Sequence, residues 1–387
     1  RDYYASRGLG DVYKRQILAS LIVFVFLIPY TASLYNGLSR LFGMAFHLDY
    51  TVCIVVMAVL TGIYVIAGGY MATAINDFIQ GCIMIIGIIA VIASVLKSNG
   101  GFMQAIDALA RVEDAQATST PGAFASFFGP DPFGLLCVVI LTSLGTWGLP
   151  QMVQKFYAIK DEKSIGKGTL ISTIFAIIVA GGCYFLGGFG RLYDIDIAAQ
   201  GYDAIIPAMI EKLSPFLIAV VVILVLSASM STLSSLVLAS SSTLTLDMIR
   251  GTIVKEMTEK KQVFIMRIFI VVFIAISAVI AVVQYKSGVT FIAQLMGISW
   301  GALAGAFLAP FIYSLYWKGV TKAAVLVNFL FGSGIMVANM LARASFPTIL
   351  QSPINCGAFA MLAGLLIVPV VSLITPKLSD EKKQAVF

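Results

Sequence analysis

The chain has 387 residues, of which 59% are hydrophobic and only 11% charged, too little polar surface to cover a globule in water. That excludes an ordinary soluble domain and points to a bilayer. The net charge of +6 does not argue for nucleic acid as a partner, because in so apolar a chain the placement of Lys and Arg outweighs their sum.

Ten apolar runs recur, at 17–43, 51–68, 77–97, 133–156, 168–190, 215–246, 264–284, 289–316, 323–342 and 355–374. Each can cross about 30 Å of hydrocarbon at about 1.5 Å per residue. The expectation is an all-α, polytopic membrane protein with about ten transmembrane helices. Residues 1–16 are polar and read as a cytoplasmic lead-in, or as sequence foreign to the rest; 17–376 form the transmembrane domain and 377–387 a cytoplasmic tail. No secretory signal pattern is present. Eighteen of the 25 Lys and Arg lie in the leading residues and in the loops 155–167, 250–267, 318–322 and 377–383, all on one side. The positive-inside rule then puts both ends in the cytoplasm of a cell membrane.

The first span carries Pro29-Tyr-Thr-Ala-Ser33 at its middle, where proline frees a backbone carbonyl and predicts a kink or cavity beside Tyr30. The second ends at the turn signal Gly68-Gly-Tyr70, and Asp77 opens the third. Asp77 has two readings: a cap stabilised by the helix dipole, or negative charge for a passing cation. A loop at 97–131 rich in Gly, Ala, Ser, Thr and Pro reads as a surface lid or connector.

The fourth span contains Thr142-Ser-Leu-Gly-Thr-Trp-Gly-Leu-Pro150. Two glycines and a proline so close together interrupt a helix, and irregular backbone at membrane depth is tolerated where it lines protein or a wet cavity. Broken helices are where transporters place solutes. Thr146, Trp147, Gly148, Pro150 and Gln151 are the solute candidates, against the alternative of a kink packed on its neighbours. The loop 191–213 is acidic. The sixth span has 32 residues, about 48 Å if straight, which predicts a tilt or a break.

That sixth span holds nine Ser and Thr among the fifteen residues from Ser231 to Thr245. Ala228, Ser231, Thr232, Ser234 and Ser235 recur at offsets of three and four, so they line one side of the rod. A file of neutral oxygens suits a monovalent cation; the alternative is hydroxyls bonded to the carbonyl four residues back. In the eighth span Gly297, Gly301 and Gly305 form a close-packing face that allows helices to slide. Five cysteines without paired spacing and the lone His47 imply neither disulfide nor zinc, and the cysteines read as small buried hydrophobes. No phosphate loop, hydrolase elbow or nucleic-acid motif is present, so no enzyme is indicated.

The run Ala228-Ser-Met-Ser-Thr-Leu-Ser-Ser235 resembles the signature of the sodium:solute symporter family. Gly68-Gly-Tyr-Met-Ala-Thr-Ala-Ile-Asn-Asp-Phe-Ile-Gln80 and Gly145-Thr-Trp-Gly-Leu-Pro-Gln151 are similar to two further family elements, in the right order. The resemblance implies a leucine-transporter-like inverted-repeat fold. It also implies three spans ahead of Ile17, so the chain reads as a fragment lacking the fold's first helices.

By the same resemblance Na⁺ is the coupling ion, with no organic cofactor, and the partners are a small organic solute and the lipid bilayer. A first sodium site would use Ala228, Ser231 and Thr232, and a second Asp77, Ser234 and Ser235. Tyr30 matches an aromatic position facing the family's central cavity. The solute would be an amino acid such as proline, a monocarboxylate or pantothenate; Thr146 and Leu149 depart from the Tyr and Gln often seen in amino-acid carriers. Rival readings are a membrane sensor on a transporter fold, for which thirteen residues after the last span leave no module, and a proton-coupled carrier, disfavoured by few intramembrane carboxylates.

Overall fold

A computed structural model describes residues 12–114, 117–156, 159–193, 195–196, 200–254, 257–288 and 292–376. Every regular element among them is helical: α1 (Val12–Phe46), α2 (Tyr50–Ser98), α3 (Phe102–Ala110), α4 (Pro132–Ser143), α5 (Pro150–Phe156), α6 (Glu162–Gly188), α7 (Ile205–Glu211), α8 (Pro215–Ser242), α9 (Glu259–Ser287), α10 (Ile292–Tyr316), α11 (Lys322–Leu341) and α12 (Pro353–Ile374), with a few short turns of helix between them. Nine helical stretches are long and apolar enough to cross a membrane, and Pro132–Gly148 is a shorter apolar one.

The helix starts follow from local chemistry. Asp49, Asp131, Asp161 and Thr321 each accept from a backbone N–H in the first turn of α2, α4, α6 and α11. Proline opens α4, α8 and α12, where its missing N–H costs nothing. Pro29 lies inside α1, which runs through it without interruption.

The turn expected at Gly68-Gly-Tyr70 is not a gap in helical backbone, and Asp77 is an interior residue of α2 rather than a helix start. Glycine lowers helix stability by about 1 kcal/mol without removing a donor, and no proline stands in this stretch. Yet α2 is not straight. Thr61 Oγ1 lies 3.8 Å from Met230 Sδ, and a Cβ on Gly87 would lie 2.5 Å from Leu224 Cδ1. A straight rod would separate Thr61 and Gly87 by about 39 Å, against about 9 Å between residues 224 and 230 of α8. The helix therefore bends back on itself between them, and both arms pack on α8.

The centre of the molecule is α10, buried at every residue from Gly297 to Pro310. Its glycines face other backbones: a Cβ on Gly301 would lie 2.7 Å from Gly357 Cα of α12, and one on Gly332 of α11 would lie 2.3 Å from Gly305 C. Asn328 of α11 donates to Gly305 O and Ala306 O at 2.9 and 2.7 Å. The expected sliding face is thus an interlocked, hydrogen-bonded one, because backbones this close leave no low-energy path past each other. Cys53, Cys137 and Cys356 are buried as expected, whereas Cys82 and Cys183 are exposed, on apolar helix faces.

A polar junction ties the ends of four helices. Asn36 of α1 accepts from Tyr50 OH at 2.5 Å and donates to Gln284 of α9. Tyr50 stacks on Tyr285 at 3.5 Å, and Arg40 lies over the Tyr285 ring. Arg40 also reaches Asp203 at 3.6 Å, and both Asp203 oxygens accept from Ile292 N at the start of α10.

Candidate functional site

The hydroxyl file belongs to α8, whose mostly apolar run forms a helix from Pro215 to Ser242. Thr232 donates to Ala228 O at 3.0 Å, and Ser234 and Ser235 both donate to Ser231 O at 2.9 and 3.1 Å. Each hydroxyl thus spends its proton on the backbone, which orients the oxygen and leaves its lone pairs free. Such an oxygen can still ligate a cation. Ser234 is 1% exposed and Ser231, Thr232 and Ser235 are half-buried, so the file does not lie on the outer surface.

Past Ser242 the helix widens into a π-helical stretch, Thr243–Ile253. The sixth span, expected to tilt or break, thus stays helical and changes its winding instead. Its wider turns rotate the side chains beyond Thr243 relative to an α-helix. Gln16 at the foot of α1 donates to Asp247 within it at 3.4 Å.

Asp77 lies on the arm of α2 that packs against α8. Ile88, Val91 and Val95 share a core cluster with Val221 and Val222, Gly87 meets Leu224, and in a chain that crosses at each successive span the third and the sixth run in opposite senses. The two rods are antiparallel. Ten residues back from Gly87 is Asp77 and ten on from Leu224 is Ser234, which brings the carboxylate level with the lower hydroxyls. Asp77 Oδ1 and, one turn on, Gln80 Oε1 are buried acceptors without a donor among the described residues. Buried oxygens in that state call for a cation or a water.

The broken helix is formed as its sequence requires. α4 ends at Ser143, Gly145–Gly148 make a tighter 3₁₀ turn, and α5 begins at Pro150. Gly148 fits against α10: a Cβ there would meet Ala304 Cα, Leu308 Cβ and Leu308 N, each at 3.0 Å. Thr146 donates to Ser143 O at 2.8 Å. Pro150 is buried, and Gln151 is 4% exposed with both amide atoms unpartnered. Trp147 is 56% exposed and turns away from the core. Tyr30 packs edge-on against Trp300 of α10, ring centroids 5.7 Å apart.

Ladder and break border one core, in which Leu149 and Leu141 join Leu233, Leu236 and Val237, and α5 packs on α8. Sequence reasoning missed Trp300, which appeared only as a residue of the glycine face, and Gln80, which closed a quoted motif without a role. The pairing of Asn36 with Gln284, 248 residues apart, leaves no local signal.

A broken helix packed beside an interior hydroxyl file, with nine apolar spans among the described residues, defines an all-helical, multi-pass membrane protein of transporter architecture. The profile described as Sodium:solute symporter family matches residues 2–332, and the chain belongs to that family. It is 28% identical to "Sodium/proline symporter 2" of Staphylococcus saprophyticus over 87% of this chain and 64% of the relative. It is 26% identical to the "Osmoregulated proline transporter OpuE" of Bacillus subtilis over 97% of this chain and 74% of the relative. The chain thus spans less than two thirds of the first relative's length. A solved Na⁺-coupled sialic acid symporter in a substrate-bound, outward-open state shares the fold at TM-score 0.65 and 17% identity, over 97% of this chain and 81% of that one. The fold is of the leucine-transporter-like class.

Proposed function

We propose that the chain carries a small organic solute into the cell together with Na⁺ by alternating access, residues 17–376 forming the membrane domain with both ends cytoplasmic. What supports this most directly is the antiparallel register of Asp77 with Ser234, a buried and donorless carboxylate oxygen level with oriented hydroxyls. Ala228, Ser231 and Thr232 form the first sodium site, and Asp77, Ser234 and Ser235 a second. Two relatives are named for proline, so proline leads the solutes to be tried, ahead of monocarboxylates and pantothenate.

The solute lies at the break, against Tyr30, Thr146, Gly148, Pro150 and Gln151. Gln151 contributes most, because its buried amide has no partner among the described residues. Trp147 joins this set through its place in the break, its ring turned to the exposed side. Sodium that stabilises the solute-binding form raises solute affinity, and solute raises sodium affinity by the same factor. A 100 mV potential adds about 2.3 kcal/mol per charge, roughly fifty-fold accumulation per ion.

The test is uptake of labelled proline, lactate and pantothenate into proteoliposomes under a sodium gradient, with and without a proton uncoupler. The expected result is uptake that needs sodium and survives the uncoupler. In Ser231→Ala and Thr232→Val the sodium concentration for half-activation rises about tenfold, the loss of one ligand bond of about 1.4 kcal/mol. Uptake that follows the proton gradient, or unchanged sodium dependence in both variants, refutes the reading.

A further inference from the structure

The glycine face of α10 carries one side chain out of keeping with its surroundings. From Gly297 to Ala306 every residue is Gly, Ala, Ser, Ile or Leu except Trp300. Trp300 is 8% exposed, and its indole N–H has the Tyr30 hydroxyl as a neighbour but makes no hydrogen bond of normal geometry among the described residues. A buried donor without a well-formed bond weakens a fold, and the backbone contacts of this helix do not call for an indole. The indole lies edge-on to Tyr30, the rings at 87°. One turn further along α10, Ala304 touches the break itself, 3.7 Å from a Cβ on Gly145 and 3.0 Å from one on Gly148. Trp300 therefore stands between the two stretches, Tyr30 on α1 and Gly145–Gly148, that the symport reading joins at the solute.

Resting on that reading, the geometry points to Trp300 as a specificity-determining residue whose indole N–H donates to a carboxylate oxygen of the solute while its ring and Tyr30 enclose the solute's apolar body. The solute class is a compact organic acid or amino acid. An aromatic pair excludes water from one side of the ligand, and a charge-assisted bond made there is stronger than a neutral one. Ser299, buried beside it with an unpartnered hydroxyl, faces another direction on the helix and takes no part.

The experiment is equilibrium binding of tritiated L-proline, L-lactate and pantothenate to the purified chain at saturating sodium. The acid that binds is then compared with its primary amide. In Trp300→Phe the acid binds at least about tenfold more weakly, the loss of one charge-assisted bond, and the amide changes by less than about threefold, so discrimination between them collapses. Replacing Trp300 with benzothienylalanine, which keeps the bicyclic shape and lacks the N–H, gives the same collapse if the phenylalanine variant folds poorly. Equal weakening of acid and amide, or of neither, overturns the inference while leaving symport standing. Failure of every acid to bind the wild-type chain overturns both.

Discussion

Replacing Gly332 by alanine tests the packing on which the site rests. The added Cβ would lie 2.3 Å from Gly305 C, 2.4 Å from Ala306 N and 2.6 Å from Gly305 O, all backbone atoms, whereas ordinary contact begins near 3.4 Å. Nothing there can rotate away, so α10 and α11 must part by about 1 Å, which a close-packed interior resists. Parting them stretches the bonds from Asn328 to Gly305 O and Ala306 O. Overpacking of about 1–3 kcal/mol plus about 1 kcal/mol for each weakened bond gives a loss of about 2–5 kcal/mol. Gly334 on the same helix is the control, since a Cβ there meets nothing within 4 Å and alanine gains up to about 1 kcal/mol in helix propensity. Thermal unfolding in detergent, followed by circular dichroism, should place Gly332→Ala clearly below wild type and Gly334→Ala at or above it. Equal melting of the two variants would refute the account of α10 as a backbone-contact hub.

Gln151→Leu, which removes a buried unpartnered amide, should leave the melting temperature unchanged or raised, by up to about 1–3 kcal/mol of recovered desolvation, while abolishing solute uptake. Asp203 carries a pH signature: burial raises its carboxyl above the usual value, the bond from Ile292 and the Arg40 charge opposing. Its folded form holds the proton more tightly than its unfolded form, so its contribution to stability is greatest below the unfolded value and declines as pH rises to the folded one. Unfolding measured between pH 3.5 and 7 should show this decline, and Asp203→Asn should remove it.

Much of the fold is legible in hydropathy, because a bilayer demands apolar stretches of a length that loops cannot imitate. The break at Gly145–Gly148 is equally local, read from glycine and proline, whereas the change of winding at Thr243 had no position in the sequence. The course of α2 is not legible there either. Its glycines permit a sharp bend without ending the helix, so a turn signal produced bent helix instead of a gap. Of the site, the hydroxyl file and Asp77 were visible as spacing and motif, and their alignment emerges only from the approach of Gly87 to Leu224 and the core cluster that the two helices share. Trp300 stayed hidden because its meaning lies in a contact with Tyr30 on another helix, which no periodicity reports.

The burial of α10 on all sides also assigns roles in motion. A rod packed backbone to backbone against α11 and α12 acts as a stator: it cannot shear against them without disrupting glycine contacts too close to admit a Cβ and the Asn328 bonds to Gly305 O and Ala306 O. Working parts of a carrier must then be sought among the pieces with least burial against the rest of the protein, and α6, only 11% buried over its most apolar window, qualifies. The junction of Arg40, Asp203 and Ile292 supplies the anchor cable, fastening the foot of that stator to the segment just ahead of α7.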